Sequence, residues 1–199
     1  MAQAAVKKMM PPGTTIWWVP IADAPTVKDV VKAALYNPTP AGGGGGGGGG
    51  TPTPAKAKDI SCAVVSGFTL NPTDSETDDT TTICDSAASN TPTRDAYEAS
   101  LTFLREALDE ASGKGNPDSP ASVAFELFKK GGVSANVTGW LVKRIGYKNT
   151  TAAKAGQLVS AFLVMPDNPR DEVGEGKQPI QMTVPFLPQG TMVINEPLV

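Results

Sequence analysis

The residues that first suggest chemistry are the carboxylates of a short acidic tract, DSETDD, at positions 74–79. Asp74, Glu76, Asp78 and Asp79 offer enough oxygen atoms to bind a divalent cation. The tract lacks the twelve-residue spacing of an EF-hand loop, and a solvated acidic surface explains it better. The sequence therefore predicts neither a metal site nor a cofactor.

Catalysis is equally poorly supported. The chain has no histidine, which removes the usual general base and the commonest metal ligand. The nine-glycine run at 42–50 is not a phosphate-binding loop, because no Gly-Lys-Ser/Thr follows it. Cys62 and Cys84 form no CxxC pair; we predict inert core thiols, with a disulfide between them as the alternative. We predict that the protein is not an enzyme.

Composition indicates a globular protein with a core of its own. The chain has 199 residues, 40% of them hydrophobic, and a net charge of -3 that gives no basis for bulk attraction to nucleic acid. No apolar run approaches the ~20 residues of a membrane helix, so we expect no membrane insertion, and the start does not resemble a signal peptide. We predict one domain over residues 1–199, with an N-terminal arm at 1–13 and a low-complexity Gly/Pro/Thr loop at 37–58.

Hydrophobic periodicity predicts a mainly β fold with one well-marked helix and one weaker helix. The stronger helix begins after a Ser119 cap, has Pro120 in its first turn and ends at Gly131. The weaker one covers residues 26–35, with Thr26 and Asp29 placed to form a capping box. Strands are predicted at residues 14–19, 60–70, 97–105, 138–147, 156–166 and 180–187, followed by a turn at 188–190 and a last short run at 191–196.

The predicted strand at 97–105 shows the clearest alternation. Tyr97, Ala99, Leu101 and Phe103 share one face, and the polar residues Glu98, Ser100 and Thr102 share the other. One face of this strand should therefore be buried and the other should contact water.

Charges of opposite sign are separated along the chain. Residues 74–98 contain seven acids and a single arginine, whereas residues 129–154 contain six bases and no acid. The separation favours self-contact through opposite charges, or a surface of one sign facing a channel, unless the fold interleaves the two segments. Strand edges must likewise be blunted by prolines such as Pro166, Pro179 and Pro185, or paired with neighbouring copies.

Six blocks of sequence, in order, resemble the major tail protein (tail tube protein) of long non-contractile-tailed bacteriophages, of the type that infects actinobacteria. They cover most of the chain outside residues 36–58, and their specificity lies in their combination. The blocks are GTTIWWVP, DISCAVVSGFTLNPTDSETDDTTTICD, YEASLTFLRE, AFELFKKGGV, GWLVKRIGYKN and DNPRDEVGEGKQPIQMTVPFLPQGTMVIN.

The resemblance implies a β-sandwich or partly open barrel of two packed sheets, with a flanking helix and long loops. It implies hexameric rings that stack into the hollow tail tube through which viral DNA passes, without specific binding, into the host. The implied partners are further copies of the chain, the tape-measure protein, and the tail terminator and distal tail proteins. The implied location is the virion tail, assembled in the host cytoplasm.

Within that arrangement, we predict two sets of functional residues. The candidates to face the lumen are Glu98, Ser100, Thr102, Ser61, Ser66 and Thr69. The candidates for contacts between subunits or rings are Trp17, Trp18, Asp74, Glu76, Asp78, Asp79, Lys143, Arg144 and Lys148. Neighbouring strand residues point to opposite faces, so we expect one of the two tryptophans to be buried within the subunit and the other against a neighbour. The acids of 74–79 either line the bore or lie in a loop at a ring face.

Two other classes fit the sequence less well. A tail terminator or decoration protein would form a single ring or a coat. A secreted adhesin or carbohydrate binder would need an exposed aromatic platform, and only 6% of the residues are aromatic.

Overall fold

The computed structural model describes residues 13–37, 55–65, 68–74, 76–78, 91–94, 96–106, 116, 119–173 and 179–199. Most of the arm at 1–13, the glycine run, Ser66, Asp79 and Cys84 lie outside these residues. The strands are β1 (Thr14–Pro20), β2 (Lys58–Asp59), β3 (Thr69–Pro72), β4 (Glu76–Asp78), β5 (Thr91–Arg94), β6 (Tyr97–Leu104), β7 (Gly139–Ile145), β8 (Leu158–Pro166), β9 (Arg170–Glu172) and β10 (Gln181–Pro197). The helices are α1 (Val27–Val30) and α2 (Pro120–Phe128), with 3₁₀ turns at Ala33–Leu35 and Ser61–Ala63.

The predicted mainly β fold is confirmed. One antiparallel sheet has the strand order β2-β1-β7-β8-β10-β6-β3, and β9 adds to β10 beside this path. Strands β4 and β5 form a separate pair that extends the β3–β6 hairpin, because Thr73 N donates to Ala96 O beyond the main ladder.

The sheet curls on itself into a partly open barrel, so its two halves form the two walls. Trp18 on β1 and Phe186 on β10 have ring centroids 6.4 Å apart, whereas three strand spacings in a flat sheet would separate them by about 14 Å. Residues 58–65 then connect the two walls, since Ile60 N donates to Ile16 O and Val65 N donates to Thr102 O.

Each face of the sheet has its own core. The inner core fills the barrel, and α2 closes it by inserting Phe128 against Trp18, Phe103 and Phe186 at centroid distances of 5.2–5.4 Å. The outer core lies on β1, β7 and β8, where α1 and the turn after it cover Trp17 and its neighbours. The stronger predicted helix is confirmed, including the Ser119 cap, whose Oγ accepts from Ser122 N at 3.1 Å.

Tertiary contacts change three predicted elements. The predicted helix at 26–35 keeps its capping box but ends at Val30, because Ala33 N bonds to Val199 O instead of continuing the helix. The predicted strand at 60–70 is wrong over its first half: Ser61 Oγ bonds both Ile16 N and Ile16 O, which holds a 3₁₀ turn there.

The third change concerns the C-terminal strands. The predicted turn at 188–190 is a register shift inside the continuous strand β10, with Gly190 at φ 76. A predicted loop also contains the short strand β9, which pairs with Gln181, Met182 and Thr183 of β10.

Candidate functional site

The outer face of the curled sheet is covered over only part of its width. The outer core extends over β1, β7, β8 and the C-terminal half of β10 but not onto β6 or β3. The uncovered part is a four-stranded sheet in the order β3-β6-β10-β9, in which β3 pairs only with β6 and β9 pairs only with β10. We call its outward surface the bare face. On β3, β6 and β10 it consists of Thr69, Asn71, Glu98, Ser100, Thr102, Leu104, Gln181, Thr183 and Pro185.

The bare face is built mainly from short polar side chains. Thr102 Oγ1 and Thr183 Oγ1, on paired strands, are 2.9 Å apart and satisfy each other. Beside Ser100, a shallow groove of about 250 Å³ opens between Thr69 and Pro188. Such a surface is wetted but carries little charge.

The charges on the bare face are few and mainly negative. Glu98 is exposed on β6, and Glu172 lies opposite Gln181 on β9. Arg170, opposite Thr183, is the one cation among the outward residues that the structure describes on these four strands. Most of the bare face therefore offers no cationic group to a phosphate.

Four of the six residues predicted to face a lumen lie together on this surface: Glu98, Ser100, Thr102 and Thr69. Ser61 does not join them, because its hydroxyl is held by Ile16 and by Asp59 Oδ1 at 2.5 Å. Ser66 lies outside the described residues.

The two tryptophans point to opposite faces of β1, as predicted, but both are buried within their own chain. Trp18 is 0% exposed and donates from Nε1 to Ser134 Oγ at 2.9 Å in the inner core. Trp17 is 4% exposed and packs in the outer core against Tyr36. The prediction that one of them meets a neighbouring subunit is therefore wrong.

A comparison with protein families identifies the family of this chain. A family model described as phage tail tube protein matches residues 53–199, which include every strand of the bare face. The chain belongs to the phage tail tube protein family. A search of curated proteins found no match. Membership confirms the predicted family and makes the chain a structural component of the virion tail that assembles with itself and with other tail proteins.

In this tail tube protein Arg144 is a buried structural residue. It is 0% exposed, and its guanidinium donates to Gln157 Oε1 and Thr151 O at 2.8 Å and to Lys148 O at 3.1 Å. It also lies 4.8 Å from the Trp17 ring, and burial lowers its pKa. The prediction that Arg144 itself contacts another subunit is wrong, because it has no exposed surface.

Lys143 occupies the other face of β7 and connects the two walls of the barrel. Its Nζ donates to Leu70 O at 2.6 Å and to Asn71 Oδ1 at 2.8 Å, and burial lowers its pKa. Strand β3 is the last strand of the sheet, so one of its edges has no strand partner among the described residues. Lys143 provides a hydrogen-bond donor to the Leu70 carbonyl on this strand. This contact within the chain occupies the ammonium that was predicted to meet another subunit.

The remaining predicted contact residues are at the surface or only partly described. Lys148 and Asp74 are exposed. Glu76 and Asp78 lie on β4, which pairs with β5, so this part of the acidic tract is hairpin rather than loop. Asp79 lies outside the described residues.

Cys62 is an exposed free thiol, which corrects the prediction of a core thiol; its sulfur accepts from Asn149 Nδ2 at 3.0 Å. No group of three or more potential metal ligands occurs within the part of the chain that the structure covers. No helix in that part is long and apolar enough to span a bilayer.

Proposed function

We propose that six copies of this chain form a ring in which the bare faces line a central bore, and that the rings stack into the tail tube through which viral DNA is ejected. The observation that carries the proposal is the half-covered sheet. Buried residues on one side of β6 fix the strand, while its short polar residues on the other side are left uncovered. Antiparallel sheets often have one wet face, but here the wet face lies between two edge strands, β3 and β9, each of which pairs with one strand among the described residues.

Lateral main-chain pairing gives the ring a physical basis. The bare sheet ends in β3 on one side and β9 on the other, and neither has a second strand partner among the described residues. If β3 of one copy pairs with β9 of the next, six copies close a barrel of roughly 24 strands. That exceeds the ~16–18 strands that already leave an aqueous channel in porins. Closure would also cover the open edges of β3 and β9, apart from Leu70 O, which already accepts from Lys143 Nζ within the chain.

The chemistry of the bare face suits the passage of DNA. Each lysine or arginine that contacts a phosphate adds affinity through counterion release and would slow the moving polymer. Threonine and serine hydroxyls keep the wall wetted, and Glu98 repels phosphate. DNA would pass without specific binding. The tape-measure protein would occupy the bore beforehand, and the terminator and distal tail proteins would contact the tube ends after assembly in the host cytoplasm.

Cryo-electron microscopy of the purified, self-assembled chain tests the architecture. We expect hollow tubes with Ser100, Thr102 and Thr183 on the inner surface and β3 beside β9 of the next copy. Isolated rings would favour a terminator and a coat would favour a decoration protein. Tubes lined by a different surface would overturn the assignment of the bore.

A charge substitution tests the role in ejection. Ser100→Lys places an ammonium on the bare face beside a groove that can accommodate it, and would add six cations per ring. We expect virions built with this variant to form normal tails but to eject DNA more slowly, with the defect shrinking as salt rises. Ser100→Gln is the neutral control of similar reach. Equal ejection rates for the two variants would contradict the proposal.

A further inference from the structure

The four strands of the bare face fix the direction in which two copies can pair at their edges. Strand β3 is antiparallel to β6, β6 is antiparallel to β10, and β10 is antiparallel to β9. Strands β3 and β9 therefore run in opposite directions. Because rotation about a bore keeps the direction of each strand along its axis, β9 of one copy meets β3 of the next copy as an antiparallel pair.

The free edge of β3 presents the main-chain groups of Leu70. Thr73 N donates to Ala96 O on the β6 side, and successive residues of a strand turn their main-chain groups to opposite edges. Of the four residues of β3, Leu70 and Pro72 therefore face the free edge. Pro72 has no N–H, so Leu70 is the residue of β3 that can both donate to and accept from a new strand.

The free edge of β9 presents the main-chain groups of Asp171. Ile180 O accepts from Arg105 N on the β6 side, so the next residue, Gln181, turns its main-chain groups toward β9. The residue opposite Gln181 is Glu172, and Asp171 beside it therefore faces the free edge. All three residues of β9 are exposed, so this edge is accessible in a single copy.

The faces of the two strands agree with a pairing of Leu70 and Asp171. The Leu70 side chain lies in the inner core, and Asp171 lies opposite Met182 of the same core, so both side chains point to the same side of the sheet. Directly opposed residues of an antiparallel pair must share a face in this way. In this register Pro72 stands opposite Pro169 of the next copy. Neither proline has an N–H, so the ladder ends there.

A single copy keeps the edge of β3 closed. Lys143 Nζ donates to Leu70 O at 2.6 Å, and Leu70 is 0% exposed. The second partner of Lys143 is Asn71 Oδ1 at 2.8 Å, so both of these partners are neutral oxygens. Lysine side chains commonly protect edge strands from unwanted pairing. The main-chain N–H of another strand can reach Leu70 O only after this lysine leaves.

We propose that Lys143 caps the edge of β3 in a single copy until β9 of a second copy replaces it. Leu70 then exchanges two main-chain hydrogen bonds with Asp171 of the second copy. The freed ammonium meets the Asp171 carboxylate, which arrives on the same side of the sheet; in its own copy this side chain pairs with Arg105 at 2.9 Å but stays 56% exposed. The inference rests on the proposed ring and adds its register and the contact that must open.

Directed cross-linking tests the register independently of tube formation. In a Cys62→Ser/Cys84→Ser background, one chain carries Thr69→Cys and a second carries Glu172→Cys. These positions would form a pair without main-chain hydrogen bonds, with Cα atoms about 4.5 Å apart, and we expect a disulfide-linked dimer on mild oxidation. The matched control replaces Glu172→Cys by Arg170→Cys, which would lie about 7–8 Å from position 69, beyond the reach of a disulfide. No dimer, or equal yields with the control, would overturn the proposal.

Two substitutions at Asp171 test the main-chain bond itself. Asp171→Pro removes the N–H at the free edge and leaves the bonds between β9 and β10 in place. Asp171→Ala removes the same carboxylate but keeps the N–H. We expect the yield of the cross-link between positions 69 and 172 to be about tenfold lower with Asp171→Pro than with Asp171→Ala. Equal yields would show that Asp171 N–H does not join the copies.

The rate of the same cross-link tests the cap. Lys143→Met should form the dimer about tenfold faster than the unsubstituted chain, because one hydrogen bond from a charged donor no longer has to break. Lys143→Arg keeps a donor, and Lys148→Met loses the same charge at an exposed position; both should keep the original rate. An unchanged rate in Lys143→Met would refute the cap. Absence of tubes from the wild-type chain, with the matched cross-link intact, would refute the proposed tube but not this contact.

Discussion

Replacement of Arg144 by methionine should destabilise the fold, even though it removes a buried charge. Three of the arginine's hydrogen bonds measure 2.8–3.1 Å, to Gln157 Oε1, Thr151 O and Lys148 O. Hydrogen bonds from a charged donor contribute about 1.5 kcal/mol or more each, so their loss costs roughly 4–5 kcal/mol. Methionine retains the apolar contact with Trp17 and relieves the desolvation of the charge, which offsets part of the loss. We expect a net decrease of about 3 kcal/mol in the free energy of unfolding.

Urea unfolding measures this change, with tryptophan fluorescence as the signal because Trp17 lies beside the guanidinium. The measurement should be made at a protein concentration at which sedimentation shows a monomer, because association would increase the apparent stability. Arg144→Lys keeps the charge but loses the fork of donors, so its value should fall between wild type and Arg144→Met. Lys148→Ala, at an exposed position, should stay within about 0.5 kcal/mol of wild type. If Arg144→Met equals Lys148→Ala, the account of Arg144 as an organiser of this loop is wrong.

Three further predictions concern the helix and the inner core. Gly139→Ala would place a methyl carbon 2.6 Å from the Trp18 ring and 2.7 Å from the backbone oxygen of Val19. We expect about 2–3 kcal/mol of destabilisation from overpacking. Trp18→Phe added to it should relieve only the contact with the ring, because the Val19 oxygen stays in place. Ser119→Ala removes the cap of α2 and should cost about 1 kcal/mol in urea unfolding, whereas Ser119→Asn, whose amide can accept from Ser122 N and donate to Glu106, should retain most of that stability. Hydrogen bonds from Ser119 and Ser122 lower the pKa of Glu106. Its folded pKa therefore lies below its unfolded value, so its stabilising effect is present at neutral pH and is lost as pH falls through the folded pKa. In Glu106→Gln, the free energy of unfolding should therefore decrease less as the pH is lowered than it does in the wild type. An equal decrease in both proteins would show that Glu106 does not contribute to this pH dependence.

The elements best predicted from sequence were those in which a single local pattern decides the outcome. The alternation of residues 97–105 identified both the buried and the wet side of β6. The serine and proline before α2 correctly marked its start, whereas the helix ends at Phe128, three residues before the predicted stop at Gly131. These signals act over a few residues, and no distant partner overrides them in β6 or α2.

The elements predicted less well were decided by distant partners. The sequence around Ser61 predicted a strand. A hydrogen bond from Ile16 N to the Ser61 hydroxyl, between residues 45 positions apart, instead holds this segment in a turn. The interior position of Lys143 and Arg144 was nevertheless detectable. The preceding residues Trp140, Leu141 and Val142 are apolar on both faces of β7, and a strand buried on both faces leaves the next two side chains little access to solvent.

The same argument explains why four of the residues predicted to face a lumen share one sheet face, whereas Trp17, Trp18 and Arg144, predicted to contact other subunits, are buried within the chain. A wet face beside a buried face leaves a period of two in the sequence, as it does at Glu98, Ser100 and Thr102. A pocket on the outside of the barrel leaves no such period, because its lining residues Ala57 and Ala153 come from segments about a hundred positions apart in the chain. Only the curled sheet, with Asn37 bonded to Ala153, brings these segments to one site. Surfaces assembled by the fold, such as this pocket and the bare face, therefore cannot be recognised from runs of charge along the sequence of this tail tube protein.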